Sequence, residues 1–191
     1  CGSTSPGLIQ ATVSGVHADV GIALDGDGDR LVMVDHLGRI ADGDQLLYVI
    51  ASDRKRAGTL QGPVVGTVMS NLGLEQKLQA EGVEFLRAKV GDRYVLAMLK
   101  EHGGVLGGET SGHLLCLDRT TTGDGLISAL EVLAVMKRTG RPLAELVAGM
   151  PKLPQVMINV RVKQRIDLSK SQAIQDAVKR VEEGLGTTGR V

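Results

Sequence analysis

The alternation of short apolar runs with helix-length segments constrains this chain more than any other feature. Residues 64–69, 83–86, 105–106 and 114–117 are compact apolar stretches of strand length. Between and after them, helices are expected over 70–82, capped by Ser70 and ended by Gly82, over 92–101, closed by Gly103, and over 124–137, with a shorter one after Pro142. Strands spaced in this way by helices fold as layered α/β domains, in which each helix covers one face of a sheet. Only Tyr48, Phe85 and Tyr94 are aromatic in 191 residues, so the core between those layers must be aliphatic. The 26 glycines are about twice the usual share of roughly 7%, which calls for many tight turns.

The first third of the chain reads differently. Ser5-Pro6 opens a short helix, with Ser5 as N-cap and Pro6 at the first helical position, and Gly15 closes it. Strands are expected at 20–24 and 31–34, with a turn at Leu37-Gly38. Asp42 and Gln45 form a capping box that starts a helix burying Leu46, Leu47, Val49 and Ile50 and ending near Gly58. Residues 59–63 are linker-like. At the other end, Pro151 and Pro154 mark a second boundary. Beyond them 156–162 alternates as a half-exposed strand, and 171–183 is amphipathic through Ile174, Val178 and Val181. One strand and one helix cannot bury a core, so this tail reads as the opening of a truncated α+β domain. Cys stands at position 1, and an apolar segment is just starting at Val191, which reads as a fragment of a longer polypeptide.

Lys plus Arg and Asp plus Glu number 22 each, so there is no basic excess of the kind that binds nucleic acid or an anionic membrane. Two cysteines give neither a disulfide framework nor metal spacing, and no apolar run reaches the roughly 18 residues of a membrane span. A reduced, cytoplasmic, soluble protein is the expectation.

Three segments carry chemistry. Asp25-Gly26-Asp27-Gly28-Asp29-Arg30 sets three carboxylates at alternating positions, with glycines that let the backbone turn around one hard divalent cation. It is not an EF-hand loop, because the sixth and twelfth positions are Arg30 and His36 and the loop follows a strand. A haloacid-dehalogenase-type site would want Thr or Val where Asp29 stands. The alternative is an Asx-turn hairpin, although three crowded carboxylates without a counter-ion repel one another. Gly107 to His113, GGETSGH, offers Glu109 and Ser111 to sugar hydroxyls and His113 as a proton-exchanging group near neutral pH; a glycine-rich hairpin with a satisfied histidine has the same appearance. Val90-Gly91-Asp92-Arg93-Tyr94 opens a helix whose backbone N–H groups and Arg93 suit an anion, or is an ordinary cap with a surface arginine.

Taken in order, Cys1-Gly2-Ser3-Thr4, DGDGDR, VGDRYV, GGETSGH and TTTGDG resemble the α-D-phosphohexomutase superfamily, and within it the branch acting on glucosamine phosphate. Thr110 departs from the Gln usual in that branch. The resemblance implies the late part of a second domain over 1–60, a third domain over 61–150 and the start of a fourth over 151–191. It further implies Mg²⁺ on Asp25, Asp27 and Asp29, with Arg30 facing the active-site phosphate. Glu109, Ser111 and Arg93 would take substrate, and His113 would be catalytic beside them. The partner it implies is a sugar phosphate passed between two phosphate positions by a phosphoserine lying before Cys1, and it allows a homodimer of the full-length protein. Other hexose phosphates, or a non-catalytic cation-binding module, are the competing expectations.

Overall fold

The computed structural model describes residues 2–162 and 167–191, which divide into a unit of residues 1–152 and a smaller one of 153–191. In the larger unit, helix α1 (Gly7–Val16) leads into a three-stranded antiparallel meander. Its strands are β1 (Val20–Leu24), β2 (Leu31–Asp35) and β3 (Ile40–Ala41), paired from Val20↔Asp35 to Leu24↔Leu31 and then Met33↔Ala41. The tight β1–β2 connection puts the acidic loop at one end of this sheet.

Helix α2 (Gly43–Arg56) starts at Asp42, whose carboxylate accepts the Gln45 N–H at 3.1 Å in the expected capping box. Next come β4 (Val64–Thr67), α3 (Leu72–Ala80), β5 (Phe85–Ala88), α4 (Asp92–His102), β6 (Leu106–Gly108) and β7 (Leu114–Cys116). They form a mixed sheet ordered β5-β4-β6-β7, parallel except for the antiparallel β6–β7 hairpin. Helices α5 (Gly125–Thr139) and α6 (Leu143–Val147) complete the unit. This is the expected α/β layering.

The pleat sorts the sheet's side chains between two cores. Val64, Leu106, Leu114 and Cys116 face a large cluster with Leu46, Leu47, Ile50, Leu74, Val132 and Leu143. Val65, Ala88 and Leu115 face the other way, onto Val95 and Leu99 of α4. The large cluster also contains Leu31 and Met33 of β2, so one aliphatic core runs behind both sheets. Helix α2 packs against α3, α5, α6 and β6. Its C-terminal end is held by Arg54, whose guanidinium reaches Asp118 and Glu131, each at 2.9 Å.

Several local expectations are corrected. Strand β4 stops at Thr67, where the backbone turns: the Thr67 N–H donates to Ser70 Oγ, and Asn71 rather than Ser70 caps α3 through the Gly73 N–H. Helix α4 is capped by Gly91, with Asp92 as its first residue. Neither Ser5 nor Pro6 caps α1 with a side chain, and that helix runs to Val16 before His17 turns left-handed at φ 54°. Residues 156–162 are exposed and form no strand, because among the described residues no other strand pairs with them. The smaller unit contains a 3₁₀ turn (Leu168–Lys170) and helix α7 (Gln172–Leu185), which has no buried residue. None of the described helices is long and apolar enough to cross a membrane.

Candidate functional site

The acidic loop folds back on itself between β1 and β2. Asp25 accepts the Arg30 backbone N–H on Oδ1 at 3.1 Å, donates its own N–H to the Arg30 carbonyl, and faces the Arg30 guanidinium at 3.7 Å. Within this turn one oxygen from each of Asp25, Asp27 and Asp29 comes to lie within 4.8 Å of the others. Asp25 and Asp29 are shifted in opposite directions. Desolvation works to raise the Asp25 carboxyl, but the hydrogen bond from the Arg30 backbone, with the adjoining Asp29 carboxyl and the Arg30 guanidinium, holds it below the usual range. Desolvation, with the charges of Asp25 and Asp27, pushes Asp29 above that range against the pull of His113. Asp29 Oδ1 is buried without a hydrogen-bond partner. Three converging hard oxygens, with an unsatisfied carboxylate oxygen on one of the three residues, fit a hard divalent cation.

The 107–113 segment is the β6–β7 hairpin, and it meets the acidic loop directly. His113, 5% exposed, places Nδ1 3.0 Å from Asp29 Oδ2. Arg30 and His113 form an antiparallel bridge, and the Leu31 N–H donates to the Gly112 carbonyl at 3.0 Å. Gly112 has φ +92°, and a Cβ there would lie 1.9 Å from the Leu31 carbonyl oxygen, so only glycine permits the approach. The two loops that the resemblance assigns to different domains therefore form one continuous site.

Glu109 accepts the Gly91 backbone N–H on Oε1 at 2.8 Å, which ties the hairpin tip to the start of α4. Arg93, the second residue of α4, is exposed; its Nη2 donates to Tyr94 Oη at 2.7 Å and its guanidinium stacks on the Tyr94 ring. Ser111 is exposed at the tip, between Thr110 and Gly112. Asp25, Asp27, Asp29, Arg30 and His113 thus stand together. Glu109 and Ser111 occupy the same hairpin tip, and Arg93 is joined to them through Gly91.

Sequence reasoning missed Asp44. Its carboxylate accepts the Asn71 backbone N–H at 2.8 Å and the Thr110 hydroxyl at 2.9 Å, and burial pushes its pKa up against those two hydrogen bonds. An acidic residue in a helix's first turn ordinarily reads as a complement to the helix dipole, and no local pattern marks this one as turned inward.

Residues 42–153 match the model of the phosphoglucomutase/phosphomannomutase alpha/beta/alpha domain III. The chain belongs to this phosphoglucomutase/phosphomannomutase family. A phosphoglucosamine mutase of Alkalilimnicola ehrlichii is 58% identical over 191 residues, covering all of this chain and 42% of that protein. The chain therefore spans well under half the length of its curated relatives. Among solved structures, a phosphoglucomutase/phosphomannomutase family protein from Burkholderia thailandensis aligns at TM-score 0.71 and 30% identity, over 78% of this chain and 32% of that one. An Aspergillus fumigatus N-acetylphosphoglucosamine mutase, solved with GlcNAc-6P and magnesium, aligns at TM-score 0.62 and 20% identity over 75% of this chain and 38% of that one, a likeness of fold.

Proposed function

We propose that the polypeptide containing this chain is a phosphoglucosamine mutase, interconverting glucosamine 6-phosphate and glucosamine 1-phosphate. The observation that carries this reading is the joining of the acidic loop to the GGETSGH hairpin through Asp29 and His113. Phosphoryl transfer asks chiefly for positioning and charge neutralisation, and this site offers both on adjacent loops. The 58% identity to a phosphoglucosamine mutase along the whole chain supports the choice of hexose.

In this reading Asp25, Asp27 and Asp29 hold Mg²⁺, which when bound supplies Lewis-acid polarisation of a phosphoryl oxygen. His113 keeps Asp29 oriented. Arg30, half exposed beside Asp25, adds positive charge facing the phosphoryl group to be transferred. Glu109 accepts and Ser111 exchanges hydrogen bonds with ring hydroxyls that the sugar presents alike in both orientations, so a bisphosphorylated intermediate can return either phosphate. Arg93 stands at the α4 start for the sugar's distal phosphate. Residues 1–60, 61–150 and 151–191 would then be parts of the second, third and fourth domains of the mutase.

The test is ³¹P NMR of the full-length polypeptide with Mg²⁺ and a trace of bisphosphorylated sugar. Glucosamine 6-phosphate should equilibrate with its 1-phosphate much faster than glucose or mannose 6-phosphate does. Faster turnover of mannose or glucose phosphates would transfer the assignment to a phosphomannomutase or phosphoglucomutase, and no turnover of any hexose phosphate would remove it.

A further inference from the structure

Asp44 lies in the first turn of α2 but does not cap it; Asp42 does. The Asp44 side chain turns inward instead, and the residue is 1% exposed. Its Oδ2 gathers the Asn71 N–H and the Thr110 hydroxyl, while Oδ1 is buried without a hydrogen-bond partner. The neighbouring Gly43 donates its N–H to the Thr110 carbonyl at 3.1 Å. No side chain fits at Gly43: a Cβ would stand 2.0 Å from the Glu109 carbonyl oxygen and 2.7 Å from the Gly112 nitrogen. Thr110 is thus gripped by its main chain and by its side chain, both from one turn of α2.

A buried carboxylate is an expensive fastener wherever an uncharged group would serve. The residue it grips is the one between Glu109 and Ser111. We propose that Asp44 is a positioning residue: by holding the Thr110 hydroxyl it fixes Glu109 and Ser111 in register for the sugar, and through Asn71 it ties that register to the β4–α3 turn. The inference rests on the mutase reading above and adds to it the residue that sets the hairpin. It also gives position 110 a meaning, since a hydroxyl there is short enough to be seated directly on the α2 carboxylate.

The test uses the full-length polypeptide, steady-state kinetics and melting curves. Thr110→Val keeps the side-chain shape and deletes only the hydroxyl. A loosened hairpin weakens ground-state and transition-state binding alike, so KM for glucosamine 6-phosphate should rise about tenfold with kcat nearly kept. Thr110→Ser should restore KM. Asp44→Asn should raise KM in the same direction, and Asp44→Asn combined with Thr110→Val should be little worse than the single variants. A merely structural contact would instead lower the melting temperature and the active fraction, and so apparent kcat, with KM unmoved; that result for Thr110→Val overturns the proposal. Glu109→Ala separates the two levels. If it leaves KM and kcat at parent values, the sugar-hairpin reading falls and the positioning role with it. If it raises KM while Thr110→Val does not, the positioning role alone falls.

Discussion

The acidic loop and the hairpin tip it touches solve opposite problems. In residues 109–113 most polar groups are committed to the protein itself: Glu109 to Gly91, Thr110 to Asp44 and Gly43, Gly112 to Leu31 and His113 Nδ1 to Asp29, while His113 Nε2 is buried without a partner. In residues 25–29 three carboxylates face one another, and one buried oxygen lacks a partner. The first loop is held in place before any ligand arrives. The second carries a crowding of carboxylates that a divalent cation would relieve, and it meets the first through the His113 side chain and the backbone pairing of Arg30 and Leu31 with the hairpin. Preorganisation for an extended polar ligand and demand for a small ion are thus set side by side, the first at the cost of a buried carboxylate, the second at the cost of crowded ones.

The largest effect should come from removing the demand. Asp27→Asn takes one ligand and one charge from the trio, so turnover of the full-length polypeptide should fall about a thousandfold or more, since a bound metal supplies several kcal/mol of charge stabilisation. In metal-free protein the same change should raise the melting temperature slightly, because it relieves repulsion. Mn²⁺ relaxation and calorimetry read both. Unaltered Mn²⁺ affinity in Asp27→Asn would remove the trio as a metal site.

Next comes the histidine that couples the two loops. His113→Ala deletes the group 3.0 Å from Asp29 Oδ2 without touching a ligand atom. Losing such an orienting partner ordinarily costs ten- to a hundredfold in metal affinity. The expected result is a tenfold or greater rise in the Mn²⁺ dissociation constant, from a substitution 84 residues along the chain from Asp29. Parent-like affinity would mean that the acidic loop organises itself, and that the contrast between the loops is only one of proximity.

How far the sequence foretells this depends on the range of the interaction. Apart from the two-residue β3, element types along 20–58 and 64–139 were legible because strand length, helix caps and apolar spacing are local. The gathering of the DGDGDR carboxylates was legible because it is settled within six residues. Seating the hairpin on α2 was not: Asp44 and Thr110 are 66 residues apart, and each looks unexceptional at home. The β4–α3 turn was misread for a related reason, because Ser70 and Asn71 are both good caps and only the inward turn at Thr67 decides between them. The strand expected at 156–162 had the right alternation, but a strand needs a neighbour, and none of the described strands lies beside it.

The smallest effect concerns how Asp44's charge enters stability, and it sharpens the contrast from the hairpin side. Burial raises this carboxyl above its ordinary value of 3.8. Below that value Asp44 is protonated in both the folded and the unfolded chain. As pH climbs, the unfolded chain releases its proton first, while the folded protein keeps it until the raised pKa is reached. Over that window the folded state binds more protons, so this group's contribution is fully present at the acid end and declines as pH rises. Asp44→Asn cannot titrate, and the remaining carboxylates are common to both proteins. The melting temperature of the parent minus that of Asp44→Asn should therefore be most positive near pH 4 and shrink toward neutrality, flattening once the folded carboxyl is ionised. A difference that grows with pH would reverse the sign and mean that the hydrogen bonds from Asn71 and Thr110 outweigh burial, making the seat a stabilised anion rather than a costly one.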